Sequence, residues 1–112
     1  MGTRFGPPYV AAAGDRLRCA VLGKNGLSQA ATTPPEINMA SRFTQDAPTI
    51  NVPILFHVQW DDELFPRDGQ FELFDAIGSV DKQLIAYPGP HSTASPSAIE
   101  AWCAFVTRYL GT

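Results

Sequence analysis

The chain has 112 residues, 45% of them hydrophobic, which suits one domain with a packed core. Charged residues make up only 17% and the net charge is −3, with the eight Lys and Arg spread singly; this excludes an electrostatic footprint for nucleic acid or an acidic membrane. The sequence shows no secretory leader and no apolar run long enough to span a bilayer, so a cytoplasmic location is expected.

Taken in chain order, residues 1–13 open with Gly2, Gly6, Pro7 and Pro8 and end in Val10-Ala11-Ala12-Ala13. Early Gly and Pro followed by alanines predict a helix whose first turns pack closely on a neighbouring backbone, stopped by Gly14-Asp15 with glycine as the left-handed cap. Leu17 to Gly23 is a short apolar run bounded by turn residues and reads as a buried strand. Lys24 to Pro35, rich in Gly, Ser, Thr and Pro, is a loop. A short helix is predicted over Glu36 to Gln45, with Ile37, Ala40 and Phe43 at helical spacing.

Val52 to Trp60 (VPILFHVQW) is the clearest strand. Its continuous apolar character belongs to a strand covered on both faces, as in a parallel sheet, and Pro53 at its entrance does least damage to the ladder. Arg67 to Ile77 predicts an amphipathic helix with Phe71, Phe74 and Ile77 on one stripe, ended by Gly78. Gln83 to Tyr87 is the next strand. Ser95-Pro96 then gives a cap-and-proline start to a last helix carrying Ile99, Trp102, Cys103, Val106, Tyr109 and Leu110 at three- and four-residue steps. Alternation of strand and helix predicts an α/β layer architecture with parallel strands and right-handed crossovers.

Cys19 and Cys103, the only cysteines, both lie in apolar periodic segments and read as buried free thiols rather than a disulfide. With no Cys-x-x-Cys pair and only His57 and His91, neither a metal site nor a cofactor is expected. His57, inside a strand, reads as a hydrogen-bonded core residue rather than a base. Trp60 reads as a core residue, with a place on a pocket wall as the alternative.

The chemistry sits in two loops. In open parallel sheets functional side chains collect at the carboxyl ends of the strands. Asp61 and Asp62 follow the second strand and His91, in Tyr87-Pro88-Gly89-Pro90-His91-Ser92, follows the third. A histidine acting as general base needs a carboxylate to fix its tautomer and stabilise the imidazolium, and neighbouring strand ends can supply that pair. Taken singly, Asp-Asp-Glu could be a solvated turn and His91 a loop residue; their chain order favours the functional reading.

On these residues the sequence resembles the α/β-hydrolase family, in particular its dienelactone-hydrolase-like branch, over nearly its whole length as that fold's last three strands and their helices. The family's acid loop, Gly-x-x-Asp-x-x-Val-Pro, aligns with Gln59-Trp60-Asp61-Asp62-Glu63-Leu64-Phe65-Pro66; Gln59 stands where the glycine is usual and Phe65 where the valine is. The resemblance makes Asp62 the acid, with Asp61 as second candidate, and His91 the base. Its nucleophile elbow, Gly-x-Ser-x-Gly, would place Met1-Gly2 directly after the serine, so the nucleophile would precede Met1 and the Met1 backbone N–H would be an oxyanion-hole donor. The alternative is that Gly2 and Gly6 simply loosen a frayed terminus. None of Ser28, Ser41 and Ser92 has glycines on both sides.

The resemblance therefore implies a single truncated domain, residues 1–112: the C-terminal fragment of a serine hydrolase acting on small-molecule ester or lactone bonds, with no appreciable activity alone because the nucleophile is lacking. The first strand would be an open edge, so a second copy of the chain or the missing N-terminal half is expected as partner. A non-catalytic α/β module that self-associates through that edge is the alternative, and a small binding domain unrelated to hydrolases is a third.

Overall fold

The computed structural model describes residues 6–23, 26–27 and 40–110. The predicted 24–35 loop lies mostly outside them, as do the first residues of the helix expected from Glu36. Helix α1 spans Gly6–Ala13 and runs into a single 3₁₀ turn at Gly14–Arg16. Gly14 turns the chain there with φ 53°, the left-handed conformation expected of it. Strand β1 is Ala20–Gly23, shorter than the predicted run because Leu17 to Cys19 do not join the ladder. Helix α2 follows at Ala40–Asp46, β2 at Ile54–Gln59, α3 at Arg67–Ala76, β3 at Lys82–Tyr87 and α4 at Pro96–Leu110.

The three strands form one sheet in the order β1-β2-β3, with both pairings parallel. All six residues of the central strand β2 are buried, as its unbroken apolar character predicted. Because side chains alternate across a strand, β2 presents Ile54, Phe56 and Val58 to one face and Leu55, His57 and Gln59 to the other. The first set joins Leu22 of β1, Val10 of α1, Phe43 of α2 and Leu73 of α3 in one apolar cluster. Each such buried side chain contributes roughly 1.5–3 kcal/mol. Helix α4 covers the opposite face, where the Trp102 indole N–H donates to His57 Nδ1 at 3.2 Å.

Local chemistry fixes the helix ends. The Ser95 hydroxyl accepts the Ala98 N–H at 3.2 Å, the cap expected from Ser95-Pro96. At the C-terminus of α3, Lys82 Nζ donates to the carbonyls of Phe74 (2.9 Å), Asp75 (3.2 Å) and Ile77 (3.0 Å), placing a cation where the helix dipole is negative. Ser79 Oγ ties the chain after α3 to the entrance of β2 through the Val52 carbonyl, 2.5 Å away.

Three expectations are corrected. The buried residues of α3 are Gly69, Gln70 and Leu73, with Phe71 and Phe74 half-buried against the core and Ile77 buried just past the helix end. Along α4 the fully buried residues are Ala98 and Phe105, whereas Ile99, Cys103 and Leu110 are exposed. Both thiols are free, but only Cys19 is partly covered, and burial pushes its thiol pKa up. Leu110 lies by the β1 edge, where an apolar groove of about 500 Å³ runs between Tyr9 of α1, Cys19 and Val21, and Val106 and Leu110 of α4. Among the described residues no helix is long and apolar enough to cross a membrane.

Candidate active site

Beyond the end of β2 the chain turns through Trp60, Asp61, Asp62 and Glu63, and beyond β3 it turns through Pro88, Gly89 and Pro90 to His91. The two loops face each other across the parallel pair. Trp60 N–H donates to the Tyr87 carbonyl at 2.8 Å, and Asp61 N–H to the Gly89 carbonyl at 3.1 Å. The sheet ladder thus continues one step past the strands and brings the loops together.

The three consecutive acids contact three different groups. Asp61 Oδ2 accepts the Gly89 N–H at 2.8 Å, so its side chain fixes the histidine loop's backbone. Asp62 Oδ2 meets His91 Nδ1 at 2.7 Å, and the Asp62 side chain is fully buried while that of His91 is 26% exposed. Glu63 Oε2 accepts the His91 backbone N–H at 3.0 Å. That N–H holds the Glu63 carboxyl below the usual carboxylate range.

Asp62 is itself held. Its Oδ1 accepts the backbone N–H groups of Leu64 (2.8 Å) and Phe65 (2.9 Å), which leaves Oδ2 for the imidazole. An ionised carboxylate only accepts hydrogen bonds, so opposite it His91 Nδ1 is the donor and, in the neutral imidazole, Nε2 holds the lone pair. The Phe65 ring lies 5.8 Å from the imidazole, centroid to centroid. Gly89 makes the loop's turn with φ 112°, a conformation L side chains rarely adopt, and a Cβ there would come within 3.3 Å of Gln59 Nε2.

Of the sequence candidates, then, Asp62 and His91 meet side chain to side chain and Asp61 contacts the loop backbone instead. Met1 lies outside the described residues. His57 is 2% exposed and sits among polar and aromatic partners: its Nε2 is 2.7 Å from Gln59 Oε1, and its ring stacks on Tyr87 at 5.5 Å. Indole N–H is a donor only, so the Trp102 contact makes Nδ1 the acceptor and puts the His57 proton on Nε2, directed at Gln59. Trp60 is 43% exposed rather than packed in the core, with the Arg67 guanidinium 4.4 Å above its ring.

Two residues that the sequence does not mark as part of the site, Gln59 and Gln70, connect to it. Both are buried, and the Gln70 carboxamide bonds the N–H of Gln59 at 3.0 Å and the carbonyls of Gln59 and Phe65 at 2.9 and 2.8 Å. The available signal was Gln59 itself, a carboxamide closing an otherwise apolar strand.

The comparisons with known proteins agree with this architecture. A cold-adapted esterase from an Arctic intertidal metagenomic library superimposes with a TM-score of 0.72 and 31% identity, over 92% of this chain and 41% of the esterase. The chain is built as part of an α/β-hydrolase fold. A monoacylglycerol lipase from Paleococcus ferrophilus shares the fold at 15% identity and a TM-score of 0.70, over 93% of this chain and 63% of the lipase. The chain thus spans about two fifths of the esterase's length. No protein-family profile matches it, and neither does any curated protein. Within this chain the acid and histidine loops lie beyond the carboxyl ends of the second and third of its three strands.

Proposed function

We propose that this chain is the acid-and-histidine portion of a serine hydrolase of the dienelactone-hydrolase-like type, acting on ester or lactone bonds. The observation that carries the reading is the 2.7 Å contact between the fully buried Asp62 carboxylate and His91 Nδ1. In the proposed reaction His91 Nε2 takes the proton of a serine hydroxyl as the oxygen attacks the acyl carbon. The same nitrogen then returns that proton to the leaving alkoxide, and water hydrolyses the acyl-enzyme by the same route. Asp62 stays ionised, holds the tautomer and stabilises the imidazolium. No serine of this sequence stands between glycines. The nucleophile is therefore supplied by chain outside these residues, and the 112-residue chain alone gives no ester hydrolysis.

A chimera tests this reading. The segment of the Arctic esterase preceding its region of similarity is joined to the present chain and assayed on a short-chain p-nitrophenyl ester. Hydrolysis is expected, with Asp62→Asn and His91→Gln each lowering kcat by a factor on the order of 10³ or more. A folded chimera no faster than its His91→Gln variant overturns the reading, and so does serine-inhibitor-sensitive hydrolysis by the 112-residue chain alone.

A second reading draws on the β1 edge. An edge strand flanked by an apolar groove, with Tyr9 and Leu110 more than half exposed beside it, fits a non-catalytic module that self-associates there. A chain that remains monomeric and folded at high concentration excludes it.

A further inference from the structure

The end of β2 raises a question of backbone pairing. Ala20 N–H donates to the Pro53 carbonyl, whereas Ile54 and Trp60 donate to Asp81 and Tyr87. Odd-numbered residues of β2 therefore address β1 and even-numbered ones address β3. The last residue of β1, Gly23, lies opposite His57, so Gln59 faces the β1 side one step past the end of that pairing. Its C=O accepts the Asp62 N–H at 3.3 Å, and the Gln70 carboxamide bonds both its N–H and its C=O, in the manner of a neighbouring peptide group. Oε1 takes the N–H at 3.0 Å and Nε2 gives to the C=O at 2.9 Å. The second Nε2 proton reaches the Phe65 carbonyl at 2.8 Å, the residue whose own N–H holds Asp62 Oδ1.

The Gln59 side chain works in the opposite direction. Oε1 accepts the His57 Nε2–H at 2.7 Å, which fixes the carboxamide's orientation, and Nε2 donates to the Pro88 carbonyl at 3.2 Å. Pro88 directly precedes Gly89, the backbone group that Asp61 holds. From Trp102 through His57 and Gln59 to Pro88 each donor and acceptor has one possible assignment, because the indole N–H at the head of the chain cannot accept.

We propose that Gln59 and Gln70 are positioning residues that set the separation of the acid loop from the histidine loop. Gln70 fixes the backbone from Gln59 to Phe65, and Gln59 fixes the start of the Pro88–His91 turn. The Asp62–His91 bond spans the gap that the two carboxamides define. The role of this bond in acyl transfer rests on the hydrolase reading above; its dependence on the glutamines does not.

The test is nitrogen NMR of the imidazoles in the chain itself. Wild type is expected to show His91 as a fixed Nδ1–H tautomer with a low-field proton. Gln59→Met and Gln70→Met keep length and remove the hydrogen bonds. Each is expected to move the two His91 ring nitrogens toward the averaged shifts of a free imidazole while the amide spectrum stays dispersed. A role confined to packing would lower the melting temperature and leave those ring shifts alone.

Folded variants of both kinds with wild-type His91 shifts overturn the proposal. If neither variant folds, the wild-type carboxamide protons decide: exchange as slow as the β2 backbone amides supports it, and rapid exchange overturns it. An averaged His91 tautomer already in the wild type counts against the hydrolase reading. A fixed wild-type tautomer that the variants leave unchanged counts against the positioning role alone.

Discussion

The two faces of β2 are equally buried and chemically opposite. Toward α1, α2 and α3 the strand shows Ile54, Phe56 and Val58, all 0% exposed and surrounded by aliphatic and aromatic side chains. Toward α4 it shows Leu55, then His57 and Gln59, at 2% and 1% exposure. Apolar contacts are non-directional, so the first face stabilises the sheet without specifying where its ends go. Buried hydrogen bonds are directional and costly to leave unmade, so the second face holds particular loops at particular distances. Stability and site geometry are thus separated across one strand six residues long.

If that division is real, the largest effect belongs to the apolar face. Phe56→Ala removes a ring packed 5.8 Å from Phe74 and should destabilise the chain by about 3–5 kcal/mol, read as a fall in the urea midpoint. For a chain of this size that is a large fraction of its stability. A loss below about 1 kcal/mol would mean the cluster is not the core.

On the polar face Trp102→Phe keeps an aromatic ring against His57 and deletes only the indole donor. The expected loss is about 1 kcal/mol by the same urea measurement. A cost exceeding that of Phe56→Ala would break the contrast between the faces.

The smallest effect is expected at the rim, at Glu63. Its carboxyl pKa is lowered in the folded chain, chiefly by the His91 backbone N–H. A group with a depressed folded pKa adds stability above its unfolded pKa and loses it as pH falls through the folded value. Glu63→Gln should therefore be slightly less stable than wild type near neutral pH. The difference should fade as the solution is acidified through and below the ordinary glutamate range, about 4.3. Urea midpoints at several pH values check this, and a gap that widens in acid would contradict the assignment.

Much of the first face was legible in the sequence. A run such as Ile-Leu-Phe-His-Val has one stable setting in a layered protein, between two covers, and both neighbouring strands paired with it in parallel as expected. The helix starts and stops that depend on adjacent residues also appeared, at Ser95-Pro96 and at Gly14. Periodicity misled where a helix has only part of its surface covered. Ile99, Cys103 and Leu110 keep helical spacing on α4 yet are exposed, Leu110 beside the β1 groove. Spacing reports which residues share a side, and only the neighbouring elements determine whether that side is covered.

The sequence by itself determined the order of strands and helices and the presence of an acid loop before a histidine loop, because propensity, apolar pattern and turn residues act over a few neighbours. Residue pattern alone did not sort Asp61, Asp62 and Glu63; only the resemblance to the family's acid loop put Asp62 ahead of Asp61. Their partners, Gly89, the His91 ring and the His91 backbone, all lie 28 or 29 residues away, and three adjacent carboxylates look alike until the facing loop is in place. Nor could it connect Trp102 to His57 across 45 residues, or Gln70 to Gln59 across 11. Those links depend on where β1 stops and on which face α4 packs, and only the assembled sheet decides both.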